Sequence, residues 1–241
     1  MTTRRGAESR AFVDLHCHTS ASFDSLAAPR AVVRAAASRG LTHLAVTDHD
    51  AIDGALAAAE IARSEAPELT VIVGQEVRTV EGDLIGLFLE RSIPTDLPAS
   101  EAIADIRSQG GLVGIPHPFD RFRGSILVSP AMAALAADAD WVEAHNARVM
   151  VGSGNDRAAE FAREHGLPGV AVSDAHSVIE VGVAYTALDG DPSTPAGLLA
   201  ALPTAELVTG RATIFVRAVT PLAKLVQRAR GRGRSPIVGS R

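Results

Sequence analysis

The sequence predicts a single α/β domain whose strands close, or nearly close, into a barrel. Three observations predict it. Short apolar runs of β type alternate with Ala-rich amphipathic stretches; seven such runs are found before residue 175; and 241 residues with 46% hydrophobic content suit one sizeable core. The first four segments set the rhythm: FVDLH (12–16) as strand, PRAVVRAAASRG (29–40) as helix, LTHLAVTD (41–48) as strand, and DGALAAAEIARSE (53–65) as helix. Pro29 serves as an early helical residue and Gly40 as a stop, so the first crossover carries the expected punctuation.

The rhythm continues with two strands in succession, LTVIVGQE (69–76) and DLIGLFLE (83–90), before the helix ASEAIADIRSQGG (99–111) and the strand LVGIPH (112–117). A helix over 129–138, strand WVEAH (141–145), a helix over 155–165 and strand PGVAVSD (168–174) complete the alternation. Beyond Asp174 the pattern weakens, and the remainder reads as an appendage. ELVTG (206–210) and ATIFV (212–216) resemble a hairpin, and TPLAKLVQRARGR (220–232) an amphipathic basic helix with a small apolar face of Leu222, Leu225 and Val226. The expected organisation is a flexible N-terminus (1–10), a barrel domain with its hairpin (11–216), and a basic helix and tail (217–241) that is solvated, packed on the barrel base or, less favoured, an arm for RNA or anionic membrane.

Composition narrows the function classes. No apolar run approaches the ~18 residues of a membrane span, and no signal peptide follows the N-terminal MTTRRGAESR, so the expectation is a soluble cytoplasmic protein without a membrane partner. The single cysteine, Cys17, excludes an internal disulfide and thiolate-rich metal sites. Net charge is −5, yet residues 217–241 hold six Arg, one Lys and no acid, which leaves a body of −12. Such a body repels polyanions unless bound cations cancel part of its charge.

The chemistry lies at the ends of the strand-like runs. Five of eight histidines sit there, His16, His18, His49, His117 and His176, accompanied by Asp24, Glu76 and Asp174. In a barrel these ends converge on one mouth. An H-x-H pair on an extended strand points both imidazoles to one side and turns Cys17 away, and D-x-H at Asp174 and His176 repeats the device. Eight ligands exceed the needs of one ion, so a cluster of two or three divalent ions is expected, and the nitrogen and carboxylate donors suit Mn, Zn or Fe(II). Arg121, Arg123 and Arg148 follow strand ends and are candidates for bidentate phosphate binding. His43 and His165 read as structural, and His145 as structural or as a partner behind the ligands.

In their order, the H-x-H, T-D-H-D, G-x-E, H-P and D-A-H blocks resemble the PHP (polymerase and histidinol phosphatase) superfamily, over about residues 11–190, and most closely its small stand-alone phosphoesterases. The resemblance implies a distorted (β/α)7 TIM-like barrel with up to three metals in the mouth. It implies that His16, His18, Glu76 and Asp174 hold one ion, that Glu76 bridges to a second ion that also takes His117, and that Asp24, His49 and His176 hold a third. Where many members place a further histidine for the second ion, this chain has Asp83. The implied reaction is hydrolysis of a phosphomonoester or phosphodiester of a nucleotide, another small metabolite or an oligonucleotide end, by a hydroxide shared between the ions that Glu76 bridges. The alternatives are a catalytically silent scaffold module and a histidinol-phosphatase-like enzyme. An amidohydrolase-like barrel is disfavoured, because those enzymes usually need a bridging lysine and the one lysine, Lys224, lies in the tail.

Overall fold

The computed structural model describes residues 10–120, 131–149, 153–212 and 219–233. The elements run β1 (Arg10–Asp14), α1 (Pro29–Ser38), β2 (His43–Val46), α2 (Asp53–Glu65), β3 (Thr70–Arg78), β4 (Asp83–Leu87), α3 (Ala99–Ser108) and β5 (Leu112–Ile115). They continue with α4 (Ala131–Asp138), β6 (Trp141–Asn146), α5 (Gly154–His165), β7 (Gly169–Val172), β8 (Tyr185–Asp189), α6 (Pro195–Ala201), β9 (Glu206–Val208) and α7 (Val219–Ala229). The seven expected strands are all present. Among the described residues, nine strands form one nearly closed sheet in the order β7-β6-β5-β4-β3-β2-β1-β8-β9.

The sheet is mixed, for a reason visible in the spacing. β3 and β4 are too close in sequence for a helical crossover, so they form an antiparallel hairpin, and β4 is antiparallel to β5 as well. The other neighbours from β1 to β7 run parallel. Strand side chains alternate between two apolar layers. Val13, Leu15, Ile72, Ile85, Trp141 and Val172 share an inner cluster, to which Leu198 of α6 and Leu202 just after it are added at the end remote from the strand C-termini. The opposite faces pack on the helices, with Val32, Val33, Leu44, Val46 and Ala58 in one layer and Ile103, Ile106, Val113, Val142 and Phe161 in another.

The region after Asp174 departs from expectation. The segment at 185–189 is a true strand, antiparallel to β1, and not part of an appendage. β9 pairs with β8; of its expected hairpin partner, 212–216, residues 213–216 lie outside the described residues. The basic helix forms, but its buried side carries Ala223 and Gln227, whereas Leu222 and Leu225 are exposed. It docks at the strand C-terminal side through Gln227, which contacts the β1–α1 loop, and not on the barrel base. No helix among the described residues is long and apolar enough to cross a membrane.

Candidate metal centre

Beyond their regular strands, the chain ends of β1 and β7 pair directly at the mouth. Asp174 N–H donates to His16 O at 2.9 Å, His18 N–H donates to Ala175 O at 2.8 Å, and Cys17 bridges Ala175 in parallel register. H-x-H therefore lies hydrogen-bonded alongside D-A-H. The period of two sends His16 and His18 into the mouth and Cys17 into the helix-side layer with Val32, Val33 and Leu44. Two of the candidate ligands, His117 and Asp174, have positive φ of 27° and 51°, where side chains carry backbone strain.

The side chains converge in two groups. In the inner one, His16 Nε2 and His18 Nε2 are 2.9 Å apart. Glu76 Oε2 lies 3.2 and 3.4 Å from these nitrogens, and Asp174 Oδ1 3.6 and 3.4 Å from them. In the outer one, Asp24 Oδ2 is 3.1 Å from His176 Nε2 and 3.4 Å from His49 Nε2, and His18 joins the same cluster. Glu76 spans the groups: Oε2 also meets His49 Nδ1 at 3.1 Å, while Oε1 meets His117 Nε2 at 3.0 Å. Asp83 is buried opposite Arg78 in the β3–β4 register, which puts it on the same face as Glu76.

Charge tests whether metal ions fit here. Nine buried acids, Asp14, Asp24, Asp48, Glu76, Asp83, Asp120, Glu143, Asp174 and Glu180, stand against two buried arginines, Arg78 and Arg148, among the described residues. That excess of buried negative charge is costly unless cations join it. The donor set fits divalent ions: imidazole nitrogens and carboxylate oxygens within 4.8 Å of one another, without thiolate. His18 Nδ1 is also buried without a hydrogen-bond partner.

Behind the ligands stands a layer of polar residues. Glu143 accepts from His16 Nδ1 at 2.6 Å, from His117 N–H at 2.7 Å and from Asn146 Nδ2 at 2.7 Å, which directs His16 Nε2 toward the inner group. Asn146 Nδ2 also donates to Asp174 Oδ2 at 3.0 Å. Glu180 accepts from His176 N–H and from the Ser177 hydroxyl. Asp48 accepts from both the Thr19 N–H and its hydroxyl at 2.6 Å, and so secures the start of the Asp24 loop.

Burial and these contacts shift the protonation equilibria. Burial raises the carboxyls of Asp14 and Asp48 to about 6, against the lowering effect of Ser173 on the first and Thr19 on the second. Burial depresses His16, but Asp174, Glu143 and Glu76 outweigh it and hold the imidazole well above its usual value. His18 is pulled well below, by burial and by the neighbouring His176. Burial raises Asp24 and Glu76, yet the surrounding histidines prevail and keep both carboxylates well below their ordinary range.

Of the three arginine candidates, Arg121 and Arg123 lie outside the described residues. Arg148 is buried, with Nη1 donating to Glu180 at 3.2 Å and Nη2 to the Thr220 hydroxyl of α7 at 2.9 Å. His43 and His165 have structural partners: Thr42 and Ser193 for the first, Phe161 O for the second. His145 bonds Gly210 O, and an irregularity between Glu143 and His145 breaks the period of two that would have turned both residues the same way. Beside His49 opens a cleft of about 390 Å³, lined by Phe23, Asp50, Arg78, Asp96 and Arg232 among others. Glu143, Glu180, Asp48 and Gln227 were not anticipated. The legible signal was an acid inside an apolar run, as in WVEAH and LAVTD.

Two family models match the chain, the PHP domain over residues 14–95 and the PHP-associated PHP_C over residues 152–206. An uncharacterized protein of Methanocaldococcus jannaschii is 36% identical over 149 residues, covering 56% of this chain and 81% of that one. The chain belongs to the PHP family. The first model includes His16, His18, Asp24, His49, Glu76 and Asp83 and the second Asp174 and His176, so of the candidate ligands only His117 lies between the two. A 5′-3′ exoribonuclease of Haemophilus influenzae is 31% identical over 150 residues, 57% of this PHP chain and 50% of the enzyme. In fold, the chain is similar to a two-domain protein of Bacteroides vulgatus containing a predicted PHP-like metal-dependent phosphoesterase (TM-score 0.71, 19% identity, 85% of this chain and 66% of that one).

Proposed function

We propose that this protein is a metal-dependent phosphoester hydrolase acting on a phosphomonoester or phosphodiester of a nucleotide, another small metabolite or an oligonucleotide end. The observation that carries the reading is the buried convergence of His16, His18, His49, His117 and His176 with Asp24, Glu76 and Asp174 at one mouth of the barrel. His16, His18, Glu76 and Asp174 would hold one ion; Glu76, His117 and Asp83 a second; and Asp24, His49 and His176, with His18 beside them, a third. Bound there, Mn, Zn or Fe(II) would supply a nucleophile at neutral pH and positive charge for the phosphoryl oxygens.

The protein's own residues prepare that chemistry. Glu143 holds the Nδ1 proton of His16 and leaves Nε2 facing the inner group. Glu76 spans the two groups, so one carboxylate fixes their separation. Arg121 and Arg123 are assigned to the phosphate; Arg148, buried with both terminal nitrogens engaged by Glu180 and Thr220, instead sets its charge behind His176 through Glu180. The similarity to an exoribonuclease supports placing an oligonucleotide end among the substrates.

The test is phosphate release from AMP, nucleoside 3′,5′-bisphosphates, histidinol phosphate and short RNA, using Mn-reconstituted protein, metal-stripped protein and a His16→Ala/Asp174→Ala double variant. Turnover that requires metal and disappears in the variant is expected. No turnover on any compound, despite more than one bound ion per chain, would sink the hydrolase reading on these substrates and favour a scaffold.

A further inference from the structure

Both ends of the C-terminal helix α7 bear on the outer ligand group. Near its start, the Thr220 hydroxyl accepts from Arg148, whose other terminal nitrogen bonds Glu180 at 3.2 Å, and Glu180 in turn accepts from the backbone N–H of His176 at 3.1 Å. Near its end, Gln227 is fully buried, and its Nε2 donates to three backbone carbonyls, Ser20 O at 2.8 Å, Ser22 O at 3.1 Å and Ser25 O at 2.8 Å. These carbonyls flank Asp24 in the chain. The Ser25 hydroxyl then reaches His176 O at 3.0 Å, so the two chains of contacts meet at the same pair of residues.

Burying a glutamine at the centre of this contact, while Leu222 and Leu225 on the same helix stay exposed, is a poor way to gain hydrophobic stability. The Gln227 Oε1 is moreover buried without a partner, which costs free energy. Gln227 instead gathers three otherwise divergent carbonyls and thereby fixes the curvature of the loop that presents Asp24. The inner residues His16 and Glu143 are held instead by strand pairing and by one another.

We propose that Gln227 is a positioning residue for the outer ion: α7 holds the Asp24 and His176 loops in register, and occupancy of the His18/Asp24/His49/His176 group depends on it. The proposal rests on the reading of that group as an ion site. Its test is Mn²⁺ binding to the full chain, by equilibrium dialysis with metal analysis, for the parent, Gln227→Met and Asp24→Ala. Gln227→Met keeps the side-chain length and removes the donors; the expected result is an outer-ion Kd raised on the order of tenfold, with the tighter ions bound as in the parent. Thr220→Val, which removes the other anchor, is the second variant and should weaken the same ion. Unchanged binding of every ion in a folded Gln227→Met protein overturns the proposal. Equal weakening of all ions also overturns it, because α7 would then support the fold as a whole. If Asp24→Ala leaves the parent's ion count and affinities unchanged, the ion-site reading itself fails, and that outcome is distinct from the other two.

Discussion

Replacing Glu143 by glutamine changes one atom's hydrogen-bonding character and should uncouple the inner ion. The carboxylate has three donors around it: His16 Nδ1 at 2.6 Å on Oε1, and His117 N–H and Asn146 Nδ2, both at 2.7 Å, on Oε2. A glutamine has one oxygen, and it must stay with the two donors, since the opposite arrangement sets an NH₂ against both of them. The amide nitrogen then faces His16 Nδ1, which has to become an acceptor. Its proton moves to Nε2, the nitrogen that points at His18, Glu76 and Asp174, and the lone pair that would hold an ion is lost. Restoring it means facing an N–H with an N–H in a fully buried site, a penalty of about 1–3 kcal/mol, which corresponds to a loss of about 5–150-fold in affinity. The assay is chelator competition for Mn²⁺ or Zn²⁺ on parent and Glu143→Gln proteins, with circular dichroism to establish folding. A folded variant whose inner-ion Kd stays within about twofold of the parent's would refute the tautomer argument.

Three further outcomes follow from the packing. Thr186→Val removes the hydroxyl that accepts from Ala171 N–H and donates to Ala171 O, and orphaning two buried backbone groups should cost about 2–4 kcal/mol in urea unfolding; a loss below about 0.5 kcal/mol would count against that role. Gly114→Ala drives a Cβ to 2.1 Å from the Trp141 ring, so overpacking of about 1–3 kcal/mol should come with a changed emission spectrum from the chain's one tryptophan; an unshifted spectrum at parental stability would contradict it. His43 is held below its usual pKa by burial, against Asp191. The unfolded chain therefore takes up that proton first as pH falls, and the stability contributed above ~6.5 is lost on acidification through that value toward the folded pKa. The drop in urea midpoint between pH 8 and pH 5 should be smaller in His43→Gln than in the parent, and equal drops would show that His43 does not contribute.

Most of the candidate ligand set is legible in the sequence because, apart from Asp24 in the β1–α1 loop, its members lie at or near a strand end next to an apolar run that announces the strand. H-x-H and D-A-H need only the two-residue alternation and a shared mouth to be assigned to one place. Glu143 is different. WVEAH carries both an acid and a histidine, and strict alternation turns them to the same side; the irregularity between Glu143 and His145 sends one to His16 and the other to Gly210 O, and nothing in five residues signals it. Gln227 was hidden by an ordinary inference, that Leu222, Leu225 and Val226 mark the docking face. The helix is held by hydrogen bonds to a loop some 200 residues earlier in the chain, and a hydrophobic pattern cannot report a polar contact.

The weakened pattern after Asp174 has a structural cause that bears on the site. β1 and β7 carry H-x-H and D-A-H, and for these to lie hydrogen-bonded alongside each other the two chain segments must pair at the mouth, as they do at His16–Asp174 and His18–Ala175. Lower down, β8 runs antiparallel along β1 from Arg10 to Val13, so β1 cannot pair with β7 there. Side chains take over at that seam. Thr186 of β8 bonds both backbone groups of Ala171 on β7, and Asp14 at the end of β1 accepts from Ser173 N–H at 3.0 Å and Gly182 N–H at 3.2 Å. Among the described residues, the β1–β7 seam is thus closed by backbone pairing where the candidate ligands are, and by Thr186 and Asp14 below them. β8 pairs antiparallel with β1 on one edge and with β9 on the other, and such a strand has no need of the long apolar run that marks a central parallel strand, which is why YTALD did not declare itself. It also follows that Asp14, although it is no ligand, sets the register between the two ligand-bearing segments: its carboxylate stands where the pairing of β1 passes from β8 to β7, one residue before Leu15 and two before His16.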